Sequence, residues 1–188
     1  MTMSTVSLID HEVSEPRSIR DLVGAHHFAT FTYEVGREKI REFARAVHDD
    51  HPAHVDDAAG HELGHDGIIA PVTFVAVIGA AVLPELFENL LIGYGLKDIL
   101  HSDQQILLHR TIRTGDVLGS DLCLESFRQA GGSDIMVTRN EICDSAGEPV
   151  VTTRTTFVAR TDERRDNGVT AADDGFGSLL DGIMRRGG

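Results

Sequence analysis

The nine residues His48-Asp49-Asp50-His51-Pro52-Ala53-His54-Val55-Asp56 bring three imidazoles and three carboxylates together on one short stretch. An imidazole titrates near neutral pH, so it can take a proton from water or return one. A carboxylate on the same tight loop can orient that water and share its proton. Asp49 and His54 are the pair whose spacing suits this chemistry. The imidazoles of His48, His51 and His54 could instead converge on a metal ion, or the stretch could be a solvated polar loop at a helix end.

A second pattern lies just downstream. His61-Glu62-Leu63-Gly64-His65 has the H-E-x-x-H spacing that sets two zinc ligands on one helix face with a glutamate as base, and Glu85 stands at a distance that suits a third ligand. Such a zinc hydrolase needs an unbroken helix. Gly64, Gly67 and Pro71 cut this one short, so His61 and His65 are expected on the surface of a short helix. Neither Cys123 nor Cys143 sits in a histidine-rich or glycine-turn context, and no G-x-S-x-G occurs, so no covalent nucleophile is indicated. Phosphate-loop and dinucleotide fingerprints are missing too, and no cofactor is expected.

Several elements must hold these residues. Phe28 to Val35 is rich in aromatic and β-branched residues and reads as a strand ended by Gly36. From Arg37 to Val47, Ile40, Phe43, Ala44 and Val47 form one apolar stripe at helical spacing. Pro52 breaks the chain behind this helix, and the His/Asp stretch occupies the break. A short helix is expected from about Val55 to Leu63, with Asp56 and Asp57 in its first turn. Pro71 to Leu83 is apolar on all sides, predicting a helix buried all round, with Pro84 kinking or restarting it. Strand patterns then cover Gln104 to Ile112, Val117 to Phe127, Ile135 to Cys143 and Val150 to Arg160. The turns between them hold Thr114-Gly115-Asp116, Gly131-Gly132 and Ser145-Ala146-Gly147, which predicts an antiparallel meander. One sheet wrapped around one apolar helix satisfies this order, an α+β fold whose edge strand invites dimerisation.

The 188 residues fit one domain at 23–161, with a flexible leader at 1–22 and a disordered tail at 162–188, where Ser178 to Met184 could form a helical turn. A net charge of −13 disfavours nucleic acid and anionic membranes as partners. Met1 to Glu15 lacks the basic start and apolar run of a secretory signal, and the apolar run Val72 to Leu83 is too short to span a bilayer. With only two cysteines, reduced core thiols in a cytoplasmic protein are expected.

The stretch Asp49-Asp50-His51-Pro52-Ala53-His54-Val55-Asp56 resembles the hydratase motif G-D-x-N-P-[apolar]-H-x-D of MaoC-like dehydratases and (R)-specific enoyl-CoA hydratases. The flanks agree: Tyr33 to Ala44 before it, Ile69-Ala-Pro-Val-Thr-Phe74 after it, and Asp103 to Leu118 further on. Together they are similar to the type that includes subunits of (3R)-hydroxyacyl-ACP dehydratases, over roughly residues 24 to 160. The resemblance implies the hot-dog fold, a bent antiparallel sheet wrapped around one long buried helix. It implies that Asp49 and His54 activate water, and that backbone N–H groups of Val72 or Thr73 hold the thioester oxygen. The implied reaction adds water reversibly to trans-2-enoyl thioesters of CoA or acyl carrier protein, giving (3R)-hydroxyacyl thioesters. The implied assembly is a homodimer, or a heterodimer with a related subunit in which this chain could be the non-catalytic acyl-binding member. Arg37, Arg110 and Arg113 would be either phosphate contacts or solvated surface residues. His48 stands where the motif has Gly, His51 where it has Asn, and Val72 where many relatives have Gly.

Overall fold

A computed structural model describes residues 18–162; the expected leader, apart from its last residues, and the expected tail from 163 onward lie outside them. Two short strands come first, β1 (His26–Phe28) and β2 (Tyr33–Glu34), followed by helices α1 (Arg37–Ala46), α2 (Asp57–Glu62) and α3 (Val75–Asn89). Four long strands complete the fold: β3 (Ile99–Leu108), β4 (Val117–Ala130), β5 (Ser133–Cys143) and β6 (Pro149–Arg160). They form one antiparallel sheet in the order β1-β4-β5-β6-β3, with β2 also on β4. This is the α+β hot-dog arrangement, with α3 lying against the sheet.

Tight turns explain the meander. Gly131 and Gly132 both have positive φ (59° and 73°) and join Ala130 to Ser133, which pair directly. Two successive positive-φ residues make the type I′ turn whose twist suits a hairpin. At the next turn the Asp144 side chain accepts from the N–H groups of Ala146 and Glu148.

Some elements depart from the sequence reading. The single strand expected over Phe28 to Val35 is two. At the break, Thr30 gives its N–H (3.0 Å) and its hydroxyl to the Glu85 carboxylate on α3, taking it out of the ladder. Residues Ile19–Leu22, expected within the loose leader, form a 3-10 turn capped by Ser18, with Ile19 and Leu22 buried. Alternation could not show this, because a single turn has no periodicity.

The helix α3 also differs. Pro84 does not restart it; the helix runs through to Asn89. Nor is it buried all round: Val75, Ile78, Val82 and Leu86 are buried, whereas Val72 just ahead of it is 55% exposed. A helix laid against one sheet can bury only the stripe facing that sheet, whatever the composition of its other side. Val72–Asn89, 18 residues, is long and apolar enough by length and composition to cross a membrane. Here it is the core helix of the fold, tied to the sheet side through Glu85.

Cys123 and Cys143 are free. They face Arg139 and Gly119 on the β4–β5 ladder, four ladder positions apart, and at about 3.3 Å per position no disulfide can join them. Burial pushes both thiols up.

Candidate active site

The site begins where α1 ends. The His48 N–H bonds to the Arg45 carbonyl (3.2 Å) and the Asp49 N–H to the Ala44 carbonyl (2.9 Å). This is the Schellman pattern, in which the residue between the helix end and the second bond adopts the left-handed conformation. That residue is His48, with φ of 58°, and it is the only described non-glycine residue with positive φ. The motif's glycine is therefore a helix terminator, and here a histidine does its work. Asp49 follows at once, so the end of α1 sets its position.

Pro52–His54 forms a 3-10 turn, and His51 caps it: its Nδ1 accepts from the Ala53 N–H (3.2 Å). Asparagine, which the motif has at this position, is likewise a favoured acceptor at a turn's N-cap. With Nδ1 accepting, the ring proton of neutral His51 sits on Nε2. Asp56, the last acid of the motif, caps α2 by accepting from the Ala58 N–H (3.2 Å).

His54 is buried, with 7% of its surface exposed. Its Nδ1 lies 2.8 Å from the carbonyl oxygen of Ile69. A carbonyl can only accept, so Nδ1 carries the proton and Nε2 of the neutral ring holds the lone pair. That nitrogen is 3.2 Å from Asp49 Oδ2. A lone pair facing a carboxylate is favourable only with a proton between them, supplied by an imidazolium or by a bound donor such as water. The carboxylate side is open, the Asp49 side chain being 41% exposed.

The Ile69 segment locks this arrangement. Its N–H donates to the Ala53 carbonyl (3.1 Å), and the Ala70 N–H donates to the Ile112 carbonyl (2.8 Å). The segment thus binds the motif loop on one side and the chain after β3 on the other, and then enters the first turn of α3. Nothing in the local spacing marks Ile69 as the partner of His54, since fifteen residues separate them. A cleft of 290 Å³ results, with Asp49, His54, Pro71, Val72, Leu108 and Ile112 in its wall. Val72 borders it; Thr73 follows in the same 3-10 turn, Val72–Phe74, and is not part of the wall. The first N–H groups of a helix have no partner within it, so this turn offers donors and the positive end of the dipole beside the pair.

The other candidates go elsewhere. Helix α2 ends at Glu62 and Gly64 turns with φ of 81°, so His61 and His65 do not share a helix face. Among the described residues no group of three His, Cys, Asp or Glu converges as metal ligands, and this includes His48, His51 and His54. Glu85 is engaged by His27 Nε2 (2.6 Å) and Thr30. The three arginines are ion-paired within the chain: Arg37 with Asp57 (2.7 Å), Arg110 with Asp116 (2.8 Å), and Arg113 with Asp66 (3.3 Å). The Arg37 guanidinium holds the Asp57 carboxyl below the usual carboxylate range.

Comparison with known proteins identifies the family and the fold. A family model described as FAS1-like, dehydratase domain region matches residues 21–153. A UPF0336 protein of Streptomyces coelicolor is 42% identical over 144 residues, covering 77% of this chain and 96% of that protein. A solved MaoC-like dehydratase is 39% identical with a TM-score of 0.71, over 78% of this chain and 44% of that longer one. The truncated HadBC (3R-hydroxyacyl-ACP dehydratase) complex of Mycobacterium tuberculosis is 35% identical with a TM-score of 0.68, over 74% of this chain and 98% of the matched chain.

Proposed function

The chain belongs to the FAS1-like dehydratase-region family, and from that premise we propose that it interconverts trans-2-enoyl thioesters and (3R)-hydroxyacyl thioesters. The carrying observation is the Asp49–His54 pair, 3.2 Å apart, with His54 oriented by the Ile69 carbonyl. Water held beside the pair, within reach of both Nε2 and the carboxylate, loses a proton to the pair as its oxygen bonds to C3 of the enoyl group. Charge moves onto the thioester oxygen, where N–H groups at the first turn before α3, of Val72 or Thr73, stabilise it. A proton from the pair then goes to C2, so one water is added across the double bond. Run backwards, the same steps dehydrate the hydroxyacyl thioester.

Two of the departures from the family motif are compatible with this role. His48 takes up the terminator's conformation and His51 makes the cap, so neither displaces Asp49 or His54. The third, Val72, leaves its side chain exposed at the cleft rim.

The same cleft favours assembly with a second hot-dog subunit. β3 lies at the sheet edge and exposes Leu100 (66%) and Leu107 (59%), while Leu108 beside them lines the cleft. Pairing along β3 would cover these leucines and wall the open side of the cleft. The HadBC neighbour, by its name, is a two-component dehydratase, and the longer MaoC-like dehydratase has room for a second such unit. A non-catalytic acyl-binding role in a heterodimer is the second reading, favoured by this open cleft alone.

The test is hydration of crotonyl-CoA, followed as loss of enoyl absorbance. Asp49→Asn and His54→Ala are each expected to lower the rate by about a thousandfold, within the range of general acid–base catalysis. Activity that survives both substitutions defeats the assignment. Activity that appears only with a related subunit added, and is indifferent to both substitutions, supports the second reading.

A further inference from the structure

The core is interrupted in its middle. On β5 the buried positions run Asp134, Met136, Thr138, Asn140, Ile142, and on β6 they run Val151, Thr153, Thr155, Phe157, Ala159. On each strand two neighbouring polar positions lie between apolar ones, and register sets Asn140 beside Thr153 and Thr138 beside Thr155. On α3, Gly79 and Ala80 lie between Ile78 and Val82. The apolar residues accordingly fall into two clusters, one holding Ile78, Ile142 and Val151, the other Val82, Met136 and Phe157. Between them lies a cavity of 360 Å³, walled by Gly79, Ala80 and Leu83 above and by Thr138, Asn140 and Thr153 below.

Protein interiors normally close such gaps. This one is held open by small residues: a methyl group added at Gly79 would meet nothing within 4 Å. Its polar wall also holds one acceptor without a donor. Asn140 is 9% exposed, and its buried Oδ1 has no hydrogen-bond partner, which is rare for a buried polar atom. An all-alkyl ligand would leave Asn140 Oδ1 unmet. A ligand carrying a hydroxyl would supply the donor.

We propose that Asn140 makes this cavity selective for acyl chains that carry a hydroxyl at their distal end. The proposal rests on the thioester reading above. Distances agree: Val72 and the Gly79–Ala80 pair are roughly 11 Å apart along the helix, which about ten extended chain carbons span. At the ≈ 30 Å³ that a water molecule occupies, the cavity holds about a dozen heavy atoms.

The experiment compares the thioesters of trans-2-decenoic acid and of its terminally hydroxylated counterpart, with the crotonyl thioester as reference. The full chain is expected to favour the hydroxylated chain about tenfold in kcat/KM, and Asn140→Leu is expected to abolish that preference. Gly79→Leu fills the cavity and strengthens the helix, so it should raise Tm while lowering the decenoyl-to-crotonyl ratio at least tenfold. Hydration of crotonyl thioester with no preference in the full chain, or an equal preference in Asn140→Leu, overturns the inference and leaves the reaction standing. If no thioester is hydrated, the reaction reading fails, and free hydroxydecanoic acid still tests the cavity: a Tm rise that Asn140→Leu removes supports it, and no rise overturns it.

Discussion

His48 is one of the residues at which the sequence departs from the family motif, and its backbone conformation explains the position. A side chain in the left-handed conformation costs about 1–2 kcal/mol relative to an ordinary backbone, and glycine avoids that while giving back some entropy in the unfolded chain. His48→Gly is therefore expected to stabilise the protein by about 1 kcal/mol, read as a higher urea midpoint with an unchanged slope. Asp49 should keep its place, because the Schellman bonds use backbone atoms only. That Asp49 and His54 lie together was legible from the motif they share with MaoC-like dehydratases and from its flanks. The Ile69 carbonyl was not, since a partner fifteen residues away has no local signature. Nor was Asn140, which reads in sequence as one more alternating strand position.

At the scale of elements, α2 and the following turn carry the Ile69 lock, and they meet at a glycine. A Cβ on Gly60 would lie 2.0 Å from the Gly67 carbonyl oxygen. Backbone must move to admit it, so Gly60→Ala should destabilise by about 2 kcal/mol or more, as overpacking does, and should loosen the Ile69 segment enough to lower kcat. A second junction is Glu85. Burial alone would raise its carboxyl, but hydrogen bonds from Thr30 and His27 bring it below the usual carboxylate range. A carboxyl lowered by folding contributes stability at pH values above its unfolded pKa. That contribution fades as pH falls through the lower folded value. The urea midpoint of the full chain should therefore exceed that of Glu85→Gln at neutral pH, and the gap should narrow on acidification below the carboxylate range. The meander and α1 were readable because their patterns extend over several periods. Pro84 misled as a break: its ring is tolerated inside α3, and no sequence rule says where a packed helix can forgo one bond.

For the whole molecule, the proposed pairing with a second subunit turns on the open edge. β3 has a neighbour on one side only, β6, and presents two exposed leucines. Leu107→Lys places a charge on that edge and should shift the sedimentation coefficient from dimer to monomer, with crotonyl hydration falling as the cleft loses its second wall. A monomer in the unsubstituted chain, fully active at nanomolar concentration, would contradict the pairing. The fold class was visible in the order of elements. The open side of α3 was not, because a run apolar on every side says nothing about which side a sheet will cover.

The divided core has one more consequence. Two apolar clusters linked through one helix need not open together, and amide exchange should distinguish them: protons in the middle of α3, above the polar band, should exchange faster than those packed at either end. A chain lying in the gap touches both clusters at once. Ligand would then slow exchange across the whole helix, and the protein's cooperativity would become a property it shares with what it binds.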